Sequence, residues 1–446
     1  MFKHWLQENV LLPLSDLITG QEIHKYLKSM LQSQYWTREQ IDAFQNERLR
    51  ALIEYAYNNV PFYHDVMSER GLTPADIQTK ADLHKLPIIN KEIIRKEGLE
   101  RFTSRTMPQK QMLRLGSSGS TGQPFYHYMS RRSYSVNMAV HLRGWYSMGW
   151  RLGDRYVKMS HNLRSTRMKR MQDILTHNMC ISTSDLSDEH IYEILSKLES
   201  YKPVVIRSYP DTLFIIAKYR LEHCKEFSYH PMAITTTGNV LHSQMRDTIE
   251  KAFGCKIYDS YGCEGNSSVF ECTTHDCYHV SEEYNITEVL DDQDNPIQSG
   301  IGRVISTDLW NYATVFIRYD VQDRVELYGR PCSCGREHMT IKRIIGRENE
   351  LLISPMGKKY TGHHFTIFCN PTNSPQLNDS IEQFQIVQHA DKSITFRFVV
   401  NARYNCEVEQ YVVDYWRKEL GVPVDVQIVE RMPILQNDKR RVIVIE

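Results

Sequence analysis

The chain has no surplus of either charge: in 446 residues, 54 Lys and Arg stand against 54 Asp and Glu. Proteins that live on nucleic acid or on an anionic membrane surface carry a basic excess, so the balance speaks against both as a general mode of binding. The densest basic run, Arg164 to Arg170, reads as a solvated helix face. Long apolar runs are missing as well. Nothing approaches the ~20 residues of a spanning helix, and a cytoplasmic protein without a membrane span is expected. Residues 1–20 hold one short apolar patch at Val10-Leu11-Leu12, flanked by Glu8, Pro13 and Asp16 and followed by no small-residue cleavage site. They read as mature protein and not as a secretory signal. Internal repeats and low-complexity tracts are absent too. What is there is ordinary for a soluble globule: 41% hydrophobic residues and a mean hydropathy of −0.48. A chain this long can bury more than one core, so two or three domains are expected.

Cysteine is thinly spread until about residue 260, then gathers as Cys272, Cys277, Cys332 and Cys334 beside His279. Such clustering points to metal ligation in a reducing compartment before it points to disulfides. Five soft or borderline ligands are on offer, and four close a tetrahedral Zn²⁺ site. A disulfide inside Cys332-x-Cys334 would be strained.

Periodicity places an amphipathic helix over Gln45–Ala56, ended by Val60-Pro61. Short strands are expected at 111–115 and 125–128, with helix over 134–150. Strands at 155–159, 203–206 and 232–235 then alternate with helices at 188–200 and 210–222. That alternation implies an α/β fold with substantial parallel sheet. Residues 284–328 are β-rich, and a seam falls at Gly346 to Asn349. Beyond it, strand 393–400, helix 407–420 and strand 424–429 suffice for a small α+β module.

Between the first two strands lies Gly116-Ser117-Ser118-Gly119-Ser120-Thr121-Gly122-Gln123-Pro124. Its glycines let backbone N–H groups approach an anion, and its hydroxyls add donors. The lysine of a Walker A loop is missing, and the spacing of a Gly-x-Ser-x-Gly nucleophile elbow does not fit. A flexible Ser/Gly turn is the plain alternative.

The surroundings favour the cradle. Ser117 to Pro124 resembles the pyrophosphate loop of the AMP-forming adenylating enzymes, and the chain is similar to their phenylacetate–CoA ligase branch, including CapK-like proteins of polysaccharide gene clusters. Asn59-Val60-Pro61-Phe62-Tyr63, Gly71-Leu72, Asp82 to Pro87, Asn90-Lys91 and Gly149 to Asp154 match that branch's landmarks in order. The resemblance implies a large multi-subdomain adenylate-forming domain, 1–348, binding ATP and the acid, and a small, mobile α+β C-terminal lid, 349–446.

It also implies roles. Ser117, Ser118, Gly119, Ser120, Thr121 and Gly122 would cradle pyrophosphate, with Gln123 where a lysine is common. Thr235 to Asn239 resembles the adenine segment; Gly238 keeps its backbone role, while Asn239 replaces the family's Glu and carries no carboxylate. Ser260-Tyr261-Gly262-Cys263-Glu264 resembles the Tyr-Gly motif with one residue fewer, Tyr261 stacking on adenine and Glu264 helping to hold Mg²⁺. A surface carboxylate is the alternative for Glu264. Asp323, in a segment similar to Arg-Tyr-x-Thr-Gly-Asp with Gln322 at the Gly position, would accept the ribose hydroxyls. Arg347 would contact the nucleotide and Asn349 would sit near the interdomain pivot, where the family usually has Asp or Lys. Lys439, in a motif where Asp438 replaces Gly, would enter the active site for adenylation in preference to Arg440. The branch often carries Pro-Cys-x-Cys-Gly, as at Pro331 to Gly335, paired with an upstream Cys and His. That selects Cys272, His279, Cys332 and Cys334 for a structural Zn²⁺, with Cys277 in reserve.

Three functions follow. The first is activation of a carboxylic acid by ATP with transfer to coenzyme A. The second keeps adenylation and passes the acyl group to an amine or carrier in surface-polysaccharide or natural-product assembly. The third is a degenerate nucleotide-binding protein, suggested by Gln123, Asn239 and the shortened Tyr-Gly motif. A homodimer is compatible with each.

Overall fold

The computed structural model describes residues 2–117, 125–160, 173–174, 176–183, 186–223, 226–262, 268–347, 352–355, 359–360, 365, 368–369, 374–378, 380–432 and 442–446. The chain divides into two compact units, the second built mainly on Ile345–Glu446.

The first unit opens with helices. Arg38–Asn59 starts at a capping box in which Thr37 Oγ1 accepts from the Gln40 amide and Gln40 Oε1 accepts from the Thr37 amide. It stops where Pro61 cannot continue the ladder. Strands β1 (Met112–Ser117) and β2 (Phe125–Ser130) then pair antiparallel up to Ser117 opposite Phe125, which brings together the two ends of the Ser/Gly loop.

The centre of the unit is an 11-stranded sheet. β3 (Tyr156–Ser160), β4 (Asn178–Ser182), β5 (Val205–Ser208), β6 (Ala233–Thr236) and β7 (Lys256–Gly262) are parallel, in the order β4-β3-β5-β6-β7. β8 (Ser268–Glu271) turns back antiparallel to β7, followed across the sheet by β9 (Tyr278–Val280), β13 (Thr340–Arg347), β12 (Tyr319–Leu327), β11 (Gly300–Asp308) and β10 (Asn285–Leu290).

The parallel strands have a core on each face, as crossover connections require. Val157, Ile206, Ile234 and Ile257 face one core, covered by helices Asp188–Tyr201, Pro210–His223 and Ser243–Phe253. Val205 and Ala233 face the other, with Val136, Ala139 and Val140 of helix Arg131–Ser147. Gly144 interrupts that helix for a packing reason: a Cβ there would lie 2.4 Å from the Phe270 ring on β8. The alternation seen in the sequence is therefore a true parallel sheet, but it makes only half of a larger mixed one.

The second unit has its own core. β16 (Ile381–Gln388), β17 (Ile394–Val400), β18 (Val424–Ile428) and β19 (Ile443–Ile445) form a sheet in the order β18-β17-β16-β19. Helix Cys406–Leu420 contributes Val408, Val412, Trp416 and Leu420 to a core shared with Phe396 and Phe398. Asn405 caps it by accepting from the amides of Glu407 and Val408, and Gly421 ends it at φ 70°.

Candidate active site

In a parallel sheet the carboxyl ends of all strands lie along one edge, and ligands bind there. Ser208 of β5 leads into Tyr209 and helix Pro210–His223. Thr236 of β6 leads to Gly238 and Asn239, and β7 ends at Tyr261 and Gly262. These turns share that edge.

Gly238 has φ 89°, and a Cβ at that position would lie 2.7 Å from the Tyr209 ring. Only glycine suits both the backbone and the ring. Asn239 donates from Nδ2 to the Asp211 carboxylate in the first turn of helix Pro210–His223. The replacement of Glu by Asn thus has a local partner: a second carboxylate beside Asp211 would repel it, whereas the amide bonds to it. Tyr209 and Asp211 carry no motif of their own, and sequence reasoning passed over both.

Tyr261 Oη donates to Asp323 Oδ2 at 2.5 Å, joining residues 62 positions apart. Asp323 is buried on β12, and its aim is set by an irregularity in the ladder: Arg303 pairs with Arg324, but Ile305 pairs with Asp320, so extra residues bulge from β12. At the bulge Gln322 has φ 62°, and its amide donates to Asp320 Oδ1 at 2.8 Å. The Gly expected there is thus a conformational requirement that Gln322 meets under strain. Arg318 is structural, also at positive φ, and pairs with both Glu288 oxygens and with the Leu86 carbonyl.

Behind the edge lies a buried polar chain that the sequence did not announce. Thr236 Oγ1 donates to Asp259 Oδ1 at 2.5 Å and Tyr278 Oη to Asp259 Oδ2 at 3.1 Å. The Asp259 amide donates to Glu271, which also pairs with Arg246. Burial pushes the Asp259 carboxyl up to about 7, with the Glu271 charge acting the same way against the hydroxyl donors.

The cysteine cluster sits where β8 and β9 meet the turn at 332–335. The ligand atoms of Cys272, His279, Cys332 and Cys334 all lie within 4.8 Å of one another. Cys272 Sγ is 3.6 Å from Cys332 Sγ, and His279 Nε2 is 3.2 Å from Cys334 Sγ. A tetrahedron with Zn–S bonds of ~2.3 Å has edges of about 3.8 Å, so a cation of that size suits the group. Cys277 is buried beside it. A hydrogen bond from Cys277 holds the Cys272 thiol far below its ordinary range, and the same bond together with burial pushes Cys277 up. Crowded thiols therefore ionise at one another's expense.

Of the residues assigned from sequence, Gly238, Asn239, Tyr261, Gly262 and Asp323 belong to the first unit. The backbones of Ser117 and Arg347 are described at the ends of β1 and β13. Ser118, Gly119, Ser120, Thr121, Gly122, Glu264 and Lys439 lie outside the described residues.

The fold matches that of a 2-hydroxyisobutyryl-CoA ligase in its postadenylation state with a TM-score of 0.72, covering 92% of this chain and 91% of that one at 17% identity. No family profile matches. In sequence the chain is similar to CapK from Staphylococcus aureus, 28% identical over 74% of this chain and 73% of CapK. It is likewise related to the phenylacetate-coenzyme A ligase of Thermus thermophilus, 25% identical over 71% of this chain and 72% of that enzyme. The resemblance drawn from the motifs is confirmed. No helix among the described residues is long and apolar enough to cross a membrane.

Proposed function

We propose that this protein is an ATP-dependent, AMP-forming ligase that activates a carboxylic acid as its acyl-adenylate and passes the acyl group to coenzyme A. The observation that carries the reading is the Tyr261–Asp323 pair at the edge shared with the Gly238 turn. A carboxylate acceptor stands ready for paired ribose hydroxyls, an aromatic face lies beside it, and Gly238 leaves its backbone open to close approach. The acid's carboxylate attacks the α-phosphorus, and pyrophosphate departs along residues 117–122. Lys439 neutralises the charge developing on the phosphoryl group. Mg²⁺ enters with ATP, and Glu264 is its candidate protein partner. A second unit with an independent core supports a mobile lid over 349–446 that turns near Arg347 to admit the thiol.

Cys272, His279, Cys332 and Cys334 would hold Zn²⁺. Four protein ligands leave no open position, so the ion would brace the β8–β9 turn and take no part in the reaction. The identity to CapK, 28% against 25% for the phenylacetate-coenzyme A ligase, favours a second reading in which the acceptor is an amine or carrier in surface-polysaccharide assembly.

Exchange of labelled pyrophosphate into ATP across a panel of carboxylic acids tests the ligase. Exchange with at least one acid is expected, with a loss of about 10²-fold or more in Lys439→Ala. ATP binding without exchange for any acid would leave a degenerate nucleotide-binding protein. AMP release that depends on coenzyme A separates the two acceptors.

A further inference from the structure

We propose, resting on the ligase reading above, that the acid carries a second anionic group and that Lys158 and Arg207 hold it. The two cations are register partners: Lys158 on β3 lies opposite Arg207 on β5, and Arg207 lies opposite Thr235 on β6. Adjacent strands are ~4.8 Å apart, so the three positions form one short row across the parallel sheet.

The period of two along each strand decides which way the row faces. Val157, Ile206 and Ile234 belong to the core under the three crossover helices. Tyr156, Val205 and Ala233 pack in the opposite core, and Trp145 of helix Arg131–Ser147 meets Tyr156 edge-on at 5.0 Å. Lys158, Arg207 and Thr235 come two residues later on the same strands, so they share the face under that helix, nearer the carboxyl edge.

One turn before Trp145 on the same helix stands His141. Its ring meets Phe270 edge-on at 5.5 Å and keeps part of its surface accessible. Burial, then the charge of Arg207, pulls its pKa down to about 4, so it stays neutral and places Arg207 close by. Lys158 and Arg207 are also only half-buried, and both have other interactions within the fold. They are positioned side chains and not loose surface charges.

The row thus puts two cations, with a neutral imidazole within electrostatic reach of Arg207, on one face of the sheet toward the carboxyl edge that also carries the Gly238 turn. A simple aliphatic or aromatic acid has nothing to offer that face. An acid with a second carboxylate, sulfonate or phosphate would meet it with charge-assisted hydrogen bonds. From Thr235 the cations lie one and two strands away, which suits a second anion about 5–10 Å from the reacting carboxylate.

The test compares pyrophosphate exchange for pairs of acids of equal length: butyrate with succinate, pentanoate with glutarate, hexanoate with adipate. The dianions should exceed their partners in kcat/KM by ~10-fold or more. Arg207→Ala and Lys158→Ala should each lower that dianion-to-monoanion ratio by about 10-fold, and Arg207→Lys should restore part of it. Unchanged melting temperature and ATP affinity would show that the variants are folded. Calorimetric titration with glutarate in the absence of nucleotide reads the subsite without turnover, so it separates failure of this inference from failure of the ligase reading. Equal losses for both members of each pair would mean that Arg207 holds the reacting carboxylate. That result, or the lack of any dianion preference in exchange and binding, would overturn the proposal.

Discussion

At the carboxyl edge of the parallel strands, side chains arrive from far apart in the chain. Tyr261 and Asp323 meet from different strands, Gly238 and Gln322 adopt positive φ, and a buried carboxyl with a raised pKa lies behind them. The cysteine cluster differs: Cys272 follows β8, His279 stands on β9, two more donors come from Cys332-x-Cys334, and their ligand atoms lie within 4.8 Å of one another. The first region tolerates strain and unfavourable burial to keep groups turned toward a ligand. In the second the donor atoms lie against one another. Damage to the cluster should therefore lower stability and spare the chemistry of molecules that remain folded, and damage to the edge should do the reverse.

The largest effect is expected at the cluster. With Zn²⁺ in the proposed site, Cys332→Ser should release it and cost roughly 4 kcal/mol or more, because three remaining ligands leave a poorly satisfied site. Thermal denaturation with elemental analysis would measure both. Exchange activity per folded molecule should stay near wild type. A selective loss of activity with an unchanged melting temperature would break the contrast between the two regions.

Next comes the pH dependence carried by Asp259. Its folded pKa of about 7 lies above the usual carboxyl value of ~3.9 in an unfolded chain. Below that unfolded value both states are protonated and nothing is lost. As pH rises toward 7, the unfolded state ionises first, so stability declines until the folded carboxyl also ionises. Relative to Asp259→Asn, the wild type should lose ~2–3 kcal/mol between about pH 5 and pH 8. Denaturant midpoints of both proteins at several pH values would show it. The slope is the test, because the amide also loses the hydrogen bond from Tyr278 at every pH. Parallel profiles would mean that the carboxyl is not the source.

Asp323→Ala should lower kcat/KM for ATP by about 10–100-fold, the worth of one charge-assisted hydrogen bond. If the carboxylate accepts ribose hydroxyls, 2′-deoxy-ATP should lose less in the variant than in the wild type. An equal loss in both would leave Asp323 as no more than the partner of Tyr261.

These tests fall where sequence and structure diverge most. Helices 188–200 and 210–222 and three of the five parallel strands were legible because an apolar periodicity needs only local chain; β4, β7 and helix Ser243–Phe253 were not read. Tyr261 and Asp323 were legible because they stand in short motifs whose neighbours resemble those of a known branch. The chain Thr236–Asp259–Tyr278 left no mark, since each residue is unremarkable until three strands align. The row Lys158–Arg207–Thr235 was hidden for a related reason. Strands of four or five residues, buried on both faces, show too little alternation to say which face a cation takes, and register with a neighbouring strand is a long-range property. The antiparallel half of the sheet escaped in part for the same cause: residues 284–328 read as β-rich, but β8, β9 and β13 and the pairing of all six strands did not.

The smallest effect concerns Gln322, and it examines the cost of the edge directly. A non-glycine residue at φ 62° loses roughly 1–2 kcal/mol to the contact between Cβ and the following carbonyl. Glycine removes that contact but adds freedom to the unfolded chain, which returns part of the gain. Gln322 also donates to Glu92 across an exposed contact of 3.4 Å, which contributes little at that length. The amide bond to Asp320 belongs to the backbone and survives the change. Gln322→Gly should therefore stabilise the protein by ~0.5–1 kcal/mol in denaturant titration. Because the bulge that aims Asp323 is kept, KM for ATP should stay within about twofold. A loss of stability would place the strain elsewhere, and a large change in KM would mean that the glutamine side chain helps to orient Asp323.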